Sequence, residues 1–179
     1  MRGAGFRLEE ERTPCGWSKG NQMDKKPFYH ISPVPLEKDT ILTNGLYGQK
    51  IRDPQFIASN YFQHIKEEIF EEVRAIKYPT APSRLNSVFL CPDLIAAKFY
   101  RSTWHKYKSF IYEIEVLEGE PFIVDMHLLE CNGFVYGTIK SCAEKYWQLS
   151  RHQDSCTLEA ILNGKALVRQ LISSPSIIL

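Results

Sequence analysis

Thr157-Leu158-Glu159-Ala160-Ile161-Leu162-Asn163-Gly164-Lys165-Ala166-Leu167-Val168-Arg169-Gln170-Leu171-Ile172 is the stretch on which the fold turns. Two apolar runs flank Asn163-Gly164, the dipeptide best suited to a two-residue turn that needs positive φ at both positions. The pattern predicts a closing β-hairpin, with strands over 157–162 and 165–172. Glu159 interrupts the first run. A carboxylate buried without a partner costs free energy, so Glu159 belongs either on a solvated strand face or against a cleft.

Working back from this hairpin, Tyr112, Ile114 and Val116 alternate with Glu113 and Glu115, which reads as a strand with one wet face. Glu118-Gly119-Glu120 then turns it into Phe122-Ile123-Val124. Val88-Phe89-Leu90 is a buried-type strand, and Pro92-Asp93 opens a helix that reaches about Arg101. A longer helix starts at Asp53-Pro54, with Asp as cap and Pro in the first turn, and runs to about Ile76. Ala58, Phe62, Ile65, Ile69, Val73 and Ile76 give it one apolar face, while Glu67, Glu68, Glu71 and Glu72 cover the rest. A further helix is expected over 138–149, capped by Thr138. Residues 41–48 read as a turn-rich loop and 78–82 as a linker. At the front, Phe28-Tyr29-His30-Ile31-Ser32 is an aromatic, β-prone strand stopped by Pro33 and Pro35.

Strands at both ends with helices between them indicate an α+β fold with a largely antiparallel sheet and flanking helices. One domain is expected over 27–179, preceded by a disordered extension over 1–26, which is polar, glycine-spotted and aperiodic. The formal net charge of +1 gives no global attraction to nucleic acid or an anionic membrane. No run is long enough to span a bilayer. The 5 cysteines are odd in number and lack CxxC spacing, which argues against a disulfide framework or a zinc site and for a reducing cytoplasm. GxGxxG and GxxxxGK[ST] patterns are absent, so neither a Rossmann fold nor a P-loop is supported.

A few residues carry possible chemistry. His30 and Ser32 share one face of the first strand, where His30 reads as a satisfied strand histidine or as a ligand-facing group. Arg84, in Ser83-Arg84-Leu85-Asn86-Ser87, has a planar fork suited to a phosphate, or is a surface arginine. Phe89 and Tyr100 flank the strand-to-helix turn and suit an aromatic ligand, or ordinary packing. The run from Lys98 to Lys108 interleaves basic and aromatic residues, as single-stranded nucleic acid or a nucleotide would require.

Taken in order, Tyr29-His30-Ile31-Ser32, then Asn86-Ser87-Val88-Phe89-Leu90 running into a helix with Tyr100, then Leu158-Glu159-Ala160-Ile161-Leu162, the layout resembles the diphtheria-toxin and PARP branch of ADP-ribosyltransferases. His30-Ile31-Ser32 fits its opening pattern of histidine, any residue, then Ser or Thr. The chain is also similar to a group of small bacterial proteins related to that branch. Phe89 stands where the branch has a tyrosine, so the ring is kept and the hydroxyl lost. The resemblance implies a split antiparallel sheet with NAD as co-substrate, no metal, and the cleft between the sheet halves. His30, helped by Ser32, would bind the adenosine ribose. Phe89 and Tyr100 would hold the nicotinamide ring, and Glu159 the nicotinamide ribose. Arg84 is the candidate for the pyrophosphate on charge alone. The implied activity is mono-ADP-ribosyl transfer to a protein or nucleic-acid acceptor, with an inhibitory partner expected on a toxin-like reading and no membrane role. A NAD glycohydrolase and a non-catalytic interaction module are the alternatives.

Overall fold

Strands β1 (Phe28–Ser32), β4 (Phe110–Glu118), β7 (Lys165–Ser173) and β2 (Ile41–Thr43) form one antiparallel sheet in that order, while β3 (Val88–Leu90), β6 (Leu158–Leu162) and β5 (Phe122–Asp125) form a second. This is the architecture of a computed structural model that describes residues 26–175 apart from 106, 132–134 and 151–156. The extension expected over 1–26 lies, except for Lys26, outside the described residues. The α+β class and the antiparallel pairing agree with the sequence reading.

The closing hairpin does not form. β6 pairs with β3 and β5, whereas β7 pairs with β4 and β2. Asn163-Gly164 therefore carries the chain from one sheet to the other. Neither residue takes the positive φ that the hairpin turn needs. Glycine is required at 164 for a different reason: a Cβ there would sit 1.9 Å from the Glu118 carbonyl oxygen. The neighbouring crossing, from β4 to β5, passes through Gly119 (φ 89°), where a Cβ would lie 2.5 Å from the Asn163 carbonyl oxygen. The two crossings thus touch backbone to backbone. At the other end of β6's sheet, β1 and the chain just past β3 are joined by a reciprocal pair, Tyr29 N to Cys91 O at 2.9 Å and Cys91 N to Tyr29 O at 2.7 Å.

Apolar packing follows the strand alternation. Val88, Leu90, Tyr112, Ile114, Ala160, Leu162, Ala166 and Val168 form one core that joins the two sheets. On its other face the three-stranded sheet presents Val124 and Ile161 to two helices, α2 (Pro54–Lys77) and α4 (Tyr136–Trp147). Helix α3 (Leu94–Trp104) packs Ala96 and Ala97 on Ile111 and Cys91, beside Tyr29 and Ile31. Cys91 is buried, and Cys142 is half-buried.

Asp53 caps α2 as expected, accepting from Gln55 N at 2.9 Å and Phe56 N at 3.1 Å. The helix is kinked at Asn60 (φ −137°, ψ 39°), and its buried face is not quite the one the spacing predicts. Ile76 is 71% exposed, while Glu67, expected on the wet side, is 1% exposed. The face turns toward Arg84, which gives Glu67 a partner inside. α3 is capped by Asp93, which accepts from Ala96 N. α4 begins two residues before Thr138, because Val135 supplies the extended entry and its carbonyl takes the Thr138 and Ile139 amides. The expected loop over 41–48 instead holds β2 and a short helix, α1 (Leu46–Ile51). Gly48 allows α1 to lie against the turn that carries Arg84, since a Cβ there would be 2.2 Å from the Leu85 carbonyl oxygen. No described helix is long and apolar enough to cross a membrane.

Candidate functional site

Residue alternation along β6 sends Ala160 and Leu162 to the inter-sheet core and Glu159 to the opposite side, toward α4. There Glu159 Oε1 accepts two hydrogen bonds, one from Arg84 Nη1 at 2.5 Å and one from Tyr146 Oη at 2.9 Å. The same Arg84 nitrogen donates to Tyr146 Oη at 2.5 Å. Arg84 Nε donates to Glu67 Oε2 at 2.9 Å. Glu67 Oε1 in turn accepts from Tyr47 Oη and from Gln63 Nε2, each at 3.0 Å. Two carboxylates therefore share one guanidinium, and the Lys66 ammonium lies within electrostatic range of both. Glu159, Arg84 and Glu67 are 4%, 5% and 1% exposed. Burial disfavours the Arg84 charge, but the Glu159 and Glu67 carboxylates more than offset it and hold the guanidinium well above its ordinary pKa. Lys66, which donates to the Leu129 carbonyl at 3.2 Å, has its pKa lowered by burial, with the Glu67 carboxylate opposing.

Oε1 takes both of the Glu159 bonds and Oε2 takes neither. The carboxylate is anchored at one oxygen, within a residue that is 4% exposed.

His30 lies on β1, opposite Tyr112, and its Nδ1 is 2.9 Å from the Phe89 carbonyl oxygen. A carbonyl only accepts, so Nδ1 carries the proton and the neutral ring keeps Nε2 as an acceptor. Burial lowers the His30 pKa, the Phe89 carbonyl opposes that shift, and His105 adds to it. His30 is thus the neutral form near pH 7. His105, the C-cap of α3, lies 5.4 Å from the Tyr100 ring and its Nδ1 is 2.6 Å from Ser109 Oγ. Burial raises the Tyr100 pKa first and the Glu159 charge second; the same two causes raise the Cys91 thiol. His30 and Phe89 are thus in direct contact, and Tyr100 and Cys91 feel the Glu159 charge.

Two of the residues picked from sequence do not have the surroundings their expected roles need. Arg84 is not a free phosphate fork, because all three of its guanidinium nitrogens face Glu67, Glu159 and Tyr146. Ser32 is buried and its hydroxyl is spent locally, donating to the Val34 carbonyl at 2.7 Å and accepting from Val34 N at 3.2 Å; it shapes the exit from β1. The Phe89 ring has Arg84 over it at 4.9 Å and the Tyr47 edge at 4.9 Å, whereas Tyr100 stacks on Trp104 at 4.8 Å. The two rings flank the strand-to-helix turn but belong to different packing clusters. Sequence reasoning missed Glu67, Tyr146, Tyr47 and His105. The one usable signal was Gln63 and Glu67 at helical spacing beside an arginine that needed a partner. Two surface grooves, of about 770 Å³ beside the 78–83 linker and about 560 Å³ between α1 and the Arg84 turn, are lined by neither His30 nor Glu159. The described residues contain no cluster of three or more His, Cys, Asp or Glu side chains placed to hold a metal.

Residues 18–174 match the family described as "Protein of unknown function (DUF2441)". The match spans most of the chain, which belongs to that family. A comparison with curated proteins gives no match.

Proposed function

We propose that the chain is a NAD-dependent mono-ADP-ribosyltransferase on a split-sheet scaffold of the ADP-ribosyltransferase type. The observation that carries this reading is Glu159: one carboxylate oxygen fixed by Arg84 and Tyr146, in electrostatic range of Tyr100 and of Cys91, whose backbone pairs with the residue next to His30. Cleavage of the nicotinamide–ribose bond leaves positive charge on the ribose carbon, of the oxocarbenium kind. A rigid carboxylate, with a second one behind it and a single guanidinium between them, stabilises that charge more than it stabilises neutral ribose. Neutral His30 offers Nε2 to a ribose hydroxyl. NAD⁺ and an acceptor X–H give ADP-ribosyl-X, nicotinamide and a proton: the C–N bond to nicotinamide breaks with its electron pair leaving on nitrogen, and X bonds the ribose carbon. Arg84, Tyr146 and Glu67 act as positioning residues for Glu159.

A non-catalytic module that keeps the fold is the second reading, supported by Phe89 lacking a hydroxyl and by the buried state of Glu159. Nicotinamide release from NAD, measured by chromatography with a cell lysate as acceptor source, separates the two. Release that Glu159→Gln abolishes supports transfer, and label remaining as free ADP-ribose identifies a glycohydrolase. No release, together with no thermal shift of the folded protein by NAD, rejects both enzymatic readings.

A further inference from the structure

Residues 94–112 contain no acid, although the chain holds 21. The stretch includes α3 and its exit; Lys98 and Lys108 are exposed, while Arg101 is buried with Nη1 donating to Ser173 and Ser174. Its outer side is also unusually apolar for a solvated helix: Ile95 is 73% exposed, Phe99 41%, Trp104 40% and Tyr107 41%. The rings are arranged as a ladder. Phe99 meets Trp104 edge-on at 6.1 Å, Trp104 meets Tyr100 at 4.8 Å, and Tyr100 meets His105 at 5.4 Å. The outer two rungs are open to solvent; of the inner two, Tyr100 feels the Glu159 charge and His105 acts on the His30 ring. Acidic Glu130 faces His127 at 3.9 Å, and His127 contacts the Phe99 ring at 6.5 Å.

Exposed aromatic side chains in a stretch whose charged side chains are all cationic fit a ligand that is both planar and anionic. Nucleobases stack on such rings regardless of sequence, while the phosphates take the cations. A lipid surface would use the cations and the aliphatic Ile95 equally, and would not need rings stepping inward to a site. A folded protein partner would not require an acid-free stretch. We infer that the outer side of α3 is a single-stranded nucleic-acid platform that leads an acceptor strand along Phe99 and Trp104 toward the site. The assignment of that strand as ADP-ribose acceptor rests on the reading under Proposed function; the binding surface does not.

The test is fluorescence anisotropy of the full chain, without NAD, against labelled single-stranded DNA and RNA of about 12 nucleotides, long enough for one platform. Binding should weaken as salt rises. Trp104→Ala and Phe99→Ala should each weaken it roughly tenfold, Trp104→Phe should restore most of the affinity, and Lys98→Glu should weaken it further at low salt. Ile95→Ser should leave it unchanged. Circular dichroism on each variant checks that the helix survives. Absence of single-strand binding at low salt overturns the inference. So does equal loss on Ile95→Ser, or binding only to vesicles of mixed phosphatidylcholine and phosphatidylglycerol. Oligonucleotide binding without nicotinamide release would retain the platform and reject the transferase. Nicotinamide release without oligonucleotide binding would do the reverse.

Discussion

Replacing Arg84 with Met removes the guanidinium shared by two buried carboxylates and keeps most of the side-chain volume. In the native protein Arg84 Nε holds Glu67 at 2.9 Å and Nη1 holds Glu159 at 2.5 Å. Neither acid has another cationic hydrogen-bond partner; Tyr47, Gln63 and Tyr146 supply only neutral donors. Breaking a buried pair by removing one partner typically costs about 3–5 kcal/mol, because a charge is left behind uncompensated. For a chain of this size each kcal/mol lowers the melting temperature by roughly 2–4 °C, so a fall of roughly 6–20 °C is expected. The assay is urea unfolding followed by circular dichroism, repeated across pH. In the variant the two stranded carboxyls take up protons more readily folded than unfolded, so their folded pKa values lie above the ordinary range. Stability must then rise as pH falls from about 7 to about 5, the opposite of ordinary acid denaturation. Glu67→Gln in the Arg84→Met background should recover about 1 kcal/mol or more, since one stranded charge is gone. A loss below about 1 kcal/mol, or a variant whose stability falls steadily on acidification, would refute the shared-cation argument.

Other outcomes follow from the same geometry. Glu159→Gln still accepts from Arg84 and Tyr146, so the fold should survive while nicotinamide release falls by about a hundredfold or more, the usual loss of one transition-state electrostatic contact; rates and melting curves on one preparation check both halves. Burial depresses the His30 pKa below its unfolded value, so its contribution to stability is complete above about pH 6.5 and is lost as pH falls toward the folded value. Denaturant midpoints from pH 8 down to 5 should fall less steeply in His30→Phe than in the parent, and equal slopes would count against a neutral buried ring. Gly164→Ala pushes a methyl group to within 1.9 Å of the Glu118 carbonyl oxygen, and should cost about 1–3 kcal/mol by overpacking. A variant as stable as the parent would mean that the two crossings are not in contact.

What could be read from the sequence was local. Asp53-Pro54 announced α2 because a cap and a proline act within one turn, and β1, β3 and β4 followed from short apolar or alternating runs. The path between the sheets could not be read. Asn163-Gly164 signals a reversal, but whether the flanking strands then pair with each other depends on Gly119 and Glu118, more than forty residues away in the chain. Helix α1 was hidden because its six residues include Gly48, and its stability comes from lying on the Leu85 carbonyl rather than from propensity. The same limit applied to the site. His30 and Glu159 were singled out through pattern and resemblance. Glu67 looked like one more acid on a wet helix face, since its burial makes sense only once Arg84 lies beneath it. Arg84 itself was assigned by its fork, but in the folded chain that fork is turned inward.

The two sheets are fastened very unequally. At the glycine corner two continuous strands cross side by side, and covalent backbone forbids any parting there. Along the opposite margin, where His30 sits, the strands are tied by the reciprocal amide bonds of Tyr29 and Cys91. Two such bonds contribute about 1–3 kcal/mol net, and the contact of His30 Nδ1 with the Phe89 carbonyl and the apolar core shared by the two sheets add to them. The glycine crossings are the spine of the molecule, bound by the chain itself, while the histidine margin is held by non-covalent contacts alone.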